Sequence, residues 1–501
     1  MPVALTYPGV YVQELPSAVR PIVGVATSVA AFVGLAPRGR TDFPVQVNSW
    51  SDYERTFGGL DPAYPLSSAV YLFFLNGGST ALVVRNADPA QPTASAALSS
   101  DITLHAGSPG LWGADLTATV DTDNLLEPKA NKFNLTITET DGASETYSGV
   151  NLTEGDPLYL PTALAASQLV APDPANKYQK APAPKDYPFA VPDPPADGAH
   201  DNAAPIPLGD AEAKTGVYAL GKADIFNILC LPVDPGATLD PATILAPAVA
   251  FCAEHRAMLI VDPPQAWSNV TPLDFKTATA DSPALVTNSP NAATYYPNLI
   301  VRGRTGSRRV APSGAVAGVW AATDTNRGVW KAPAGTAATI TGISDLETHV
   351  DDGESGVLNQ IAINALRIQP EIGPVVWGAR TTVGADQLAD QWKYIPVRRT
   401  ALFIEESLRR GTQWVVFEPN DEPLWSSIRL NVGTFMNNLF RAGAFQGSTP
   451  AEAYLVKCDK DNNPQADIDL GIVNILVGFA PLKPAEFVII KIQQLAGQAQ
   501  T

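Results

Sequence analysis

The stretch LSSAVYLFFLNGGSTALVVR, residues 66–85, packs three signals into one turn of chain. Leu66–Leu75 reads as a helix with Ala69, Val70, Phe73 and Phe74 on its apolar side. Asn76-Gly77-Gly78 stops it, and Ala81–Arg85 returns as a strand. The same alternation surrounds it. Thr27–Leu35 is a buried-strand candidate. Ser49-Trp50-Ser51-Asp52 begins a short capped helix that stops at Gly58-Gly59. Farther on, Ile225–Leu231 is a strand, Pro241–His255 an Ala-rich helix, and MLIVDPP (residues 258–264) a strand ending in an acidic turn. Strand–helix alternation of this kind builds an α/β layer.

Between these halves the texture changes. Leu116–Val120 (LTATV) and Phe133–Thr140 (FNLTITET) alternate in the manner of antiparallel strands. The run from Ala171 to Pro207 holds prolines too densely for a helix or a central strand. Ala90–Thr215 therefore reads as an insertion into the α/β domain, its proline-dense part an exposed loop.

The chain has 501 residues, 45% of them hydrophobic, enough for several domains with sizeable cores. Its formal net charge of −17 argues against a phosphate-backbone partner. No run approaches the ~20 apolar residues a membrane helix needs, and the first residues lack the basic start and apolar stretch of a signal peptide. Cys230, Cys252 and Cys458 are far apart, odd in number and set in apolar runs, so they read as small buried hydrophobes. With 45 prolines and 38 glycines the chain is turn-rich and not all-helical.

In the C-terminal part, helices are expected at about Ser355–Arg367 and at Arg398–Arg410, the latter with Glu405–Arg409 and Glu406–Arg410 pairs. VVFEPNDEPLW follows, residues 415–425, with Val415–Phe417 expected as a core strand. Its carboxylates invite a catalytic reading, but catalytic pairs usually converge from separate segments. Asn420 or Asp421 stands where an N-cap belongs, Pro423 falls in the first turn, and Asp421 and Glu422 lie at the positive end of the dipole. Leu424, Ile428, Val432, Phe435, Met436 and Leu439 then space a helical stripe to Arg441. Strands at Ala453–Lys457 and Gly471–Phe479 precede a last one.

Other chemical patterns fall short. Gly216–Ala223 lacks the hydroxyl that ends a phosphate-binding loop and precedes a strand instead of following one. Asp459–Leu470 begins like a calcium loop but lacks its glycine and final glutamate, and reads as a polar hairpin turn. His105, His200, His255 and His349 are scattered, and no metal, cofactor or catalytic residue is assigned. Arg302, Arg304, Arg308 and Arg309 form a cluster suited to carboxylate pairing. Three Asn-X-Thr triplets, at Asn134, Asn151 and Asn269, are chance matches without a secretory signal. Against a structural role stand two alternatives: a hydrolase using Glu418 with Asp421 or Asp262, or a β-rich surface-binding protein built on the insertion.

Both ends carry a strand without a nearby partner. In TYPGVYVQELPSAVRPI (residues 6–22), Val10 and Val12 face one way, Tyr11 and Gln13 the other. PAEFVIIKIQQ (residues 484–494) sets Val488, Ile490 and Ile492 on one face before a polar tail. Such orphan strands are candidates for addition to a sheet edge in another copy.

In this order, YPGVYVQEL (7–15), AAFVGLAPRG (30–39), NGGSTALVVR (76–85), VAPSGAVAGVWAATDTNRGVWKAPAG (310–335), INALR (363–367), VVWGARTT (375–382), RRTALFIEESLRRGTQWVVFEPNDEPLW (398–425) and PAEFVIIKIQQ resemble the contractile tail sheath proteins. That family spans sheaths of phages, R-type bacteriocins and extracellular contractile injection systems. Ala90–Thr215 does not share the resemblance. It implies a multidomain α/β (α+β) chain of mixed sheets flanked by helices, with an inserted β-rich outer domain and extended N- and C-terminal strand arms. The implied division is an N-terminal arm (1–22), an α/β core (23–90 and 215–380), the insertion (91–214), a tube-proximal α/β domain (381–485) and a C-terminal arm (486–501). The resemblance further implies a non-enzymatic subunit in stacked six-fold rings around an inner tube, contracting from a metastable state at a baseplate signal and consuming no nucleotide. Partners would be further copies, the tube protein, and baseplate and terminal cap proteins, with no nucleic acid and no membrane insertion. Assembly would take place in the bacterial cytoplasm, within a virion or a headless tail-like particle. The arms carry over onto Pro8, Val10, Tyr11, Val12, Gln13 and Leu15, and onto Phe487, Val488, Ile489, Ile490, Lys491, Ile492 and Gln493. Arg429, Asn437, Asn438 and Arg441, on the polar side of the helix Asp421–Arg441, are the tube-facing candidates.

Overall fold

The computed structural model describes residues 20–41, 43–86, 92–123, 125, 132–140, 142–192, 208–235, 237–269, 271–275, 288–303 and 306–489. The chain divides into two compact units, one of residues 26–327 and 333–399, the other of residues 1–25, 328–332 and 400–501.

The larger unit is organised by an eight-stranded sheet. In spatial order its strands are Gly373–Val376, Ile363–Gln369, Ala292–Tyr296, Met258–Val261, Ile228–Cys230, Ala30–Leu35, Ala81–Asn86 and Val45–Val47. The six inner strands run parallel, with registers such as Ala30↔Ala81 and Phe32↔Cys230, and the two outer ones antiparallel. Parallel strands are covered on both faces, which is why AAFVGL and the ALVV of ALVVRN are apolar without alternation.

The helix Pro65–Leu75 has proline in its first turn, and Asn76 ends it by donating from its side chain to the Leu72 carbonyl at 2.8 Å. It lies against the helix Ser313–Arg327, where a Cβ on Gly314 would meet the Ala69 backbone and one on Gly318 the Phe73 carbonyl, each within 2.5 Å. Glycine at both positions permits that close approach. A core around Ala31, Val33, Leu229, Leu259, Val249 and Cys252 joins the helix Ala246–Glu254 to the sheet.

The described residues between 92 and 192 form two small antiparallel sheets over a core of their own. Ser95–Ser99, Ile102–Ala106 and Val170–Pro172 make one; Lys185–Pro188, Leu116–Asp121, Lys132–Glu139 and Ser144–Asn151 make the other. Alternation sends Leu116, Ala118, Val120, Phe133, Leu135 and Ile137 inward. Within the proline-dense run, Lys185–Pro188 is an edge strand, a sheet position that tolerates proline. Arg38 connects this region to the parallel-sheet core. It pairs with Glu139 at 2.6 Å and donates to the Glu54 and Arg55 carbonyls that end the helix Trp50–Phe57.

The smaller unit carries the helix Glu422–Arg441, with Leu424, Ile428, Val432, Phe435, Met436 and Leu439 all buried. Tyr454–Lys457 and Leu476–Phe479 form a two-stranded antiparallel sheet. Chain passes between the units within the helix Ile395–Gly411. There Glu406 draws both Arg409 (2.6 Å) and Arg410 (2.7 Å), and the hydrogen bonds from Arg409 above all hold its carboxyl down at about 2.

Three expected elements differ. Ser355–Arg367 is not one helix: Asp352–Gln360 is helical, capped reciprocally by Asp351 and Glu354, and Ile363–Gln369 is a strand of the large sheet. Ala362, at φ +63, turns the chain between them. Val415–Phe417 is not a core strand. A 3₁₀ turn occupies Gln413–Val415, and Val416 and Phe417 stand exposed, Phe417 fully and at φ +71. The strand expected over Gly471–Phe479 begins only at Leu476, because Asn474 is bound by Asn463 and Asp467.

Candidate assembly surfaces

The carboxylates of the stretch 415–425 serve the helix that follows. The Asp421 side chain accepts from the Leu424 amide at 3.3 Å, Pro423 lies in the first turn, and Glu422 sits at the positive end of the dipole. Asn420, an alternative cap in the sequence, plays a different part. It accepts from the Trp425 indole and donates to the Ile472 carbonyl, both at 2.9 Å. Asp262 belongs to the other unit, where its carboxylate accepts from the Ser313 amide and hydroxyl, each at 2.8 Å. Of the carboxylates in the hydrolase reading, Asp421 thus caps a helix and Asp262 binds the start of another. Gly216–Lys222 is a 3₁₀ turn ahead of a strand, not the start of a helix cradling a phosphate.

The calcium-like segment connects the two strands of the small sheet. Asp461 pairs with Lys457 at 2.9 Å, Asn462 donates to the Lys457 and Asn474 carbonyls, and a short helix Gln465–Asp469 fills the return. No cluster of His, Cys, Asp or Glu among the described residues is arranged to hold a metal ion. His105 pairs with Asp173 and His349 with Asp345; His200 lies outside the described residues. In the arginine cluster, Arg309 pairs with Glu347 at 2.8 Å and Arg308 donates to the Ser68 hydroxyl at 2.6 Å. Arg304 lies outside the described residues. All three cysteines are buried and free.

What the smaller unit presents is surface. Register pairs Tyr454 with Phe479, Leu455 with Gly478, Val456 with Val477 and Lys457 with Leu476. Tyr454, Val456, Val477 and Phe479 face the core beneath the helix Glu422–Arg441. On the opposite face Leu455 and Leu476 are 54% and 53% exposed. Among the described residues, neither outer edge of this hairpin is joined to another strand. The described chain then ends with Phe487, Val488 and Ile489 at 76%, 80% and 81% exposure. Ile490, Lys491, Ile492 and Gln493, like the N-terminal set Pro8, Val10, Tyr11, Val12, Gln13 and Leu15, lie outside the described residues. The outward Leu455 and Leu476 were missed by sequence reasoning; alternation within the two short strands was the signal available.

The helix candidates separate. Arg429 is committed within the unit, paired with Glu422 at 2.5 Å and donating to the Cys458 carbonyl. Asn437 is half-buried and donates to the Tyr454 hydroxyl at 3.2 Å. Asn438 and Arg441 are exposed, on a face shared with Ser426, Leu430 and Thr434.

Residues 209–382 match the family model for the phage tail sheath protein central domain, and residues 388–494 that for the phage tail sheath C-terminal domain. The chain belongs to the phage tail sheath family. The tail sheath protein of Burkholderia phage BcepMu is 26% identical over 494 residues, covering 95% of this chain and 94% of that one. That of Vibrio phage KVP40 is 29% identical over 181 residues, 36% of this chain and 25% of its own length. Among solved structures, the contracted helical sheath of the anti-feeding prophage superposes with a TM-score of 0.58 at 24% identity, covering 98% of this chain and all of that one. A sheath tail protein from Desulfitobacterium hafniense gives 0.57 at 15% identity, covering 90% and 93%. The mixed α/β, multi-sheet architecture is that of the sheath fold. This tail sheath protein is accordingly a structural component of a contractile injection machine.

Proposed function

We propose that this sheath protein polymerises by donating its terminal strands to the small sheet of neighbouring copies, as stacked six-fold rings around an inner tube, and contracts from a metastable extended state to drive that tube through an envelope. The observation that carries the proposal is the hairpin Tyr454–Lys457/Leu476–Phe479, whose two edges pair with no further strand among the described residues, in a chain whose termini read as strands. A lone two-stranded sheet is marginal in water, and added strands supply main-chain hydrogen bonds while covering the edges. Pro8–Leu15 and Glu486–Gln493 are the donated segments in this reading. Further copies, the tube protein, and baseplate and cap proteins are the partners. The work is mechanical, with no catalysis, nucleotide or metal. Assembly takes place in the cytoplasm, within a virion or a headless particle.

For tube contact, the hydrogen-bonding of Arg429 and Asn437 within their own unit favours Asn438 and Arg441 as the facing side chains, with 381–485 as the tube-proximal part and 91–214 as the outer insertion. Deleting Glu486–Thr501 tests the central reading. The shortened chain is expected to stay folded, with unchanged circular dichroism, and to lose polymer formation by sedimentation. Polymers of ordinary yield from that deletion refute strand donation by this arm.

A further inference from the structure

The small sheet has two faces, and strand donation as proposed above covers its edges without covering its outer face. Its inner face, Tyr454, Val456, Val477 and Phe479, is backed by the core under the helix Glu422–Arg441. The outer face presents Leu455 and Leu476, which are diagonal neighbours across the register, each about half exposed. Lys457, on that same face, turns its ammonium to Asp461 at 2.9 Å. Its charge is thereby drawn into the connecting loop, and the two leucines dominate what remains.

The donated segment matches this two-sidedness. Phe487, Val488 and Ile489 are consecutive, apolar and exposed, and the sequence continues with Ile490, Lys491 and Ile492. Successive side chains of a strand point to opposite faces. An edge strand with one wet face alternates apolar with polar; a run apolar on both parities belongs to a strand covered on both sides. With Val488 and its even-numbered partners set against the helix-backed face, Phe487 and Ile489, followed in the same parity by Lys491 and Gln493, join Leu455 and Leu476 outside.

We infer that the outer face of the completed sheet is a second contact surface, covered by a further copy of this chain. A second copy is the fitting occupant because strand donation already brings copies together at this hairpin, so the patch recurs at the polymer's own period. An uncovered apolar row of that kind, repeated along a filament, would be an aggregation surface. The contact is heterologous, joining unlike surfaces of successive copies, and such contacts extend into helical assemblies.

This inference rests on strand donation, so its test reads the two separately in the full-length chain. Hydrogen exchange at the amides of Tyr454–Lys457 and Leu476–Phe479, compared between polymer and unassembled chain, reports strand addition. The critical concentration for polymerisation of Leu455→Ser/Leu476→Ser reports the outer cover. Both substitutions sit on the wet side of the unassembled unit, so the variant keeps the wild-type melting transition. The expected results are added protection in the wild-type polymer and a critical concentration raised roughly tenfold or more in the variant. Added protection with a wild-type critical concentration in the variant overturns the second contact alone. Absence of added protection in the wild-type polymer overturns strand donation, and the outer contact with it.

Discussion

Asp262 ends the strand Met258–Val261 and meets the first residue of the helix Ser313–Arg327, whose amide and hydroxyl both donate to it. Burial pushes its carboxyl up to about 7, against the pull of those two hydrogen bonds. The folded chain therefore holds this proton more tightly than the unfolded one. Stability from that source is complete below about pH 4, declines as pH rises, and is gone above about pH 7. Asp262→Asn keeps an acceptor for the Ser313 amide without the charge. It is expected to be more stable than wild type at pH 8, by on the order of 2 kcal/mol, and to match it near pH 4. Thermal melts across that range check the sign; a variant less stable at pH 8 would show that the carboxylate itself is needed there. The acidic turn was visible in MLIVDPP, but its partner Ser313 lies 51 residues on, a pairing that only folding reveals. A second such pairing is Arg399, which clasps Asp324 through two hydrogen bonds of 2.8 and 2.6 Å, both side chains almost fully buried.

Repeating patterns and caps were legible, while a turn held by distant pairing and a turn without a breaker residue were not. The helix Glu422–Arg441 was readable from its apolar stripe and from its cap. Asp421→Ala should cost about 1 kcal/mol of stability and leave the helix register unchanged. Denaturant melts measure this, and a loss of much less than about 0.5 kcal/mol would move the capping role to another group. Ser355–Arg367 misled because nothing between Gln360 and Ile363 looks like a breaker. The chain turns on Ala362 in a left-handed conformation, held by the pairing of Ile363–Gln369 with Ala292–Tyr296 and Gly373–Val376. Val415–Phe417 departs from expectation because a short apolar run need not be a buried strand. Local turn bonds, Val416 N–H to the Gln413 carbonyl and Glu418 N–H to the Val415 carbonyl, instead leave Phe417 exposed.

At the scale of the molecule, the α/β layer and the β-rich insertion followed from changes of texture along the chain. The order of the eight strands, with Ala30–Leu35 between Ile228–Cys230 and Ala81–Asn86, did not, since it depends on a distant pairing such as Ala30↔Ile228 across the whole insertion. Of the proposed assembly site, alternation reads the arms as strands, most of whose residues lie outside the described ones, while the hairpin that would receive them emerged only from the three-dimensional pairing. A reconstruction of the assembled polymer by electron microscopy, with the chain traced through the small sheet, tests the account most directly. It should show hollow helical tubes in which residues of the terminal arms of neighbouring copies pair with the free edges of Tyr454–Lys457 and Leu476–Phe479. Tubes in which that hairpin stays two-stranded, or is completed by the arm of its own chain, would contradict it.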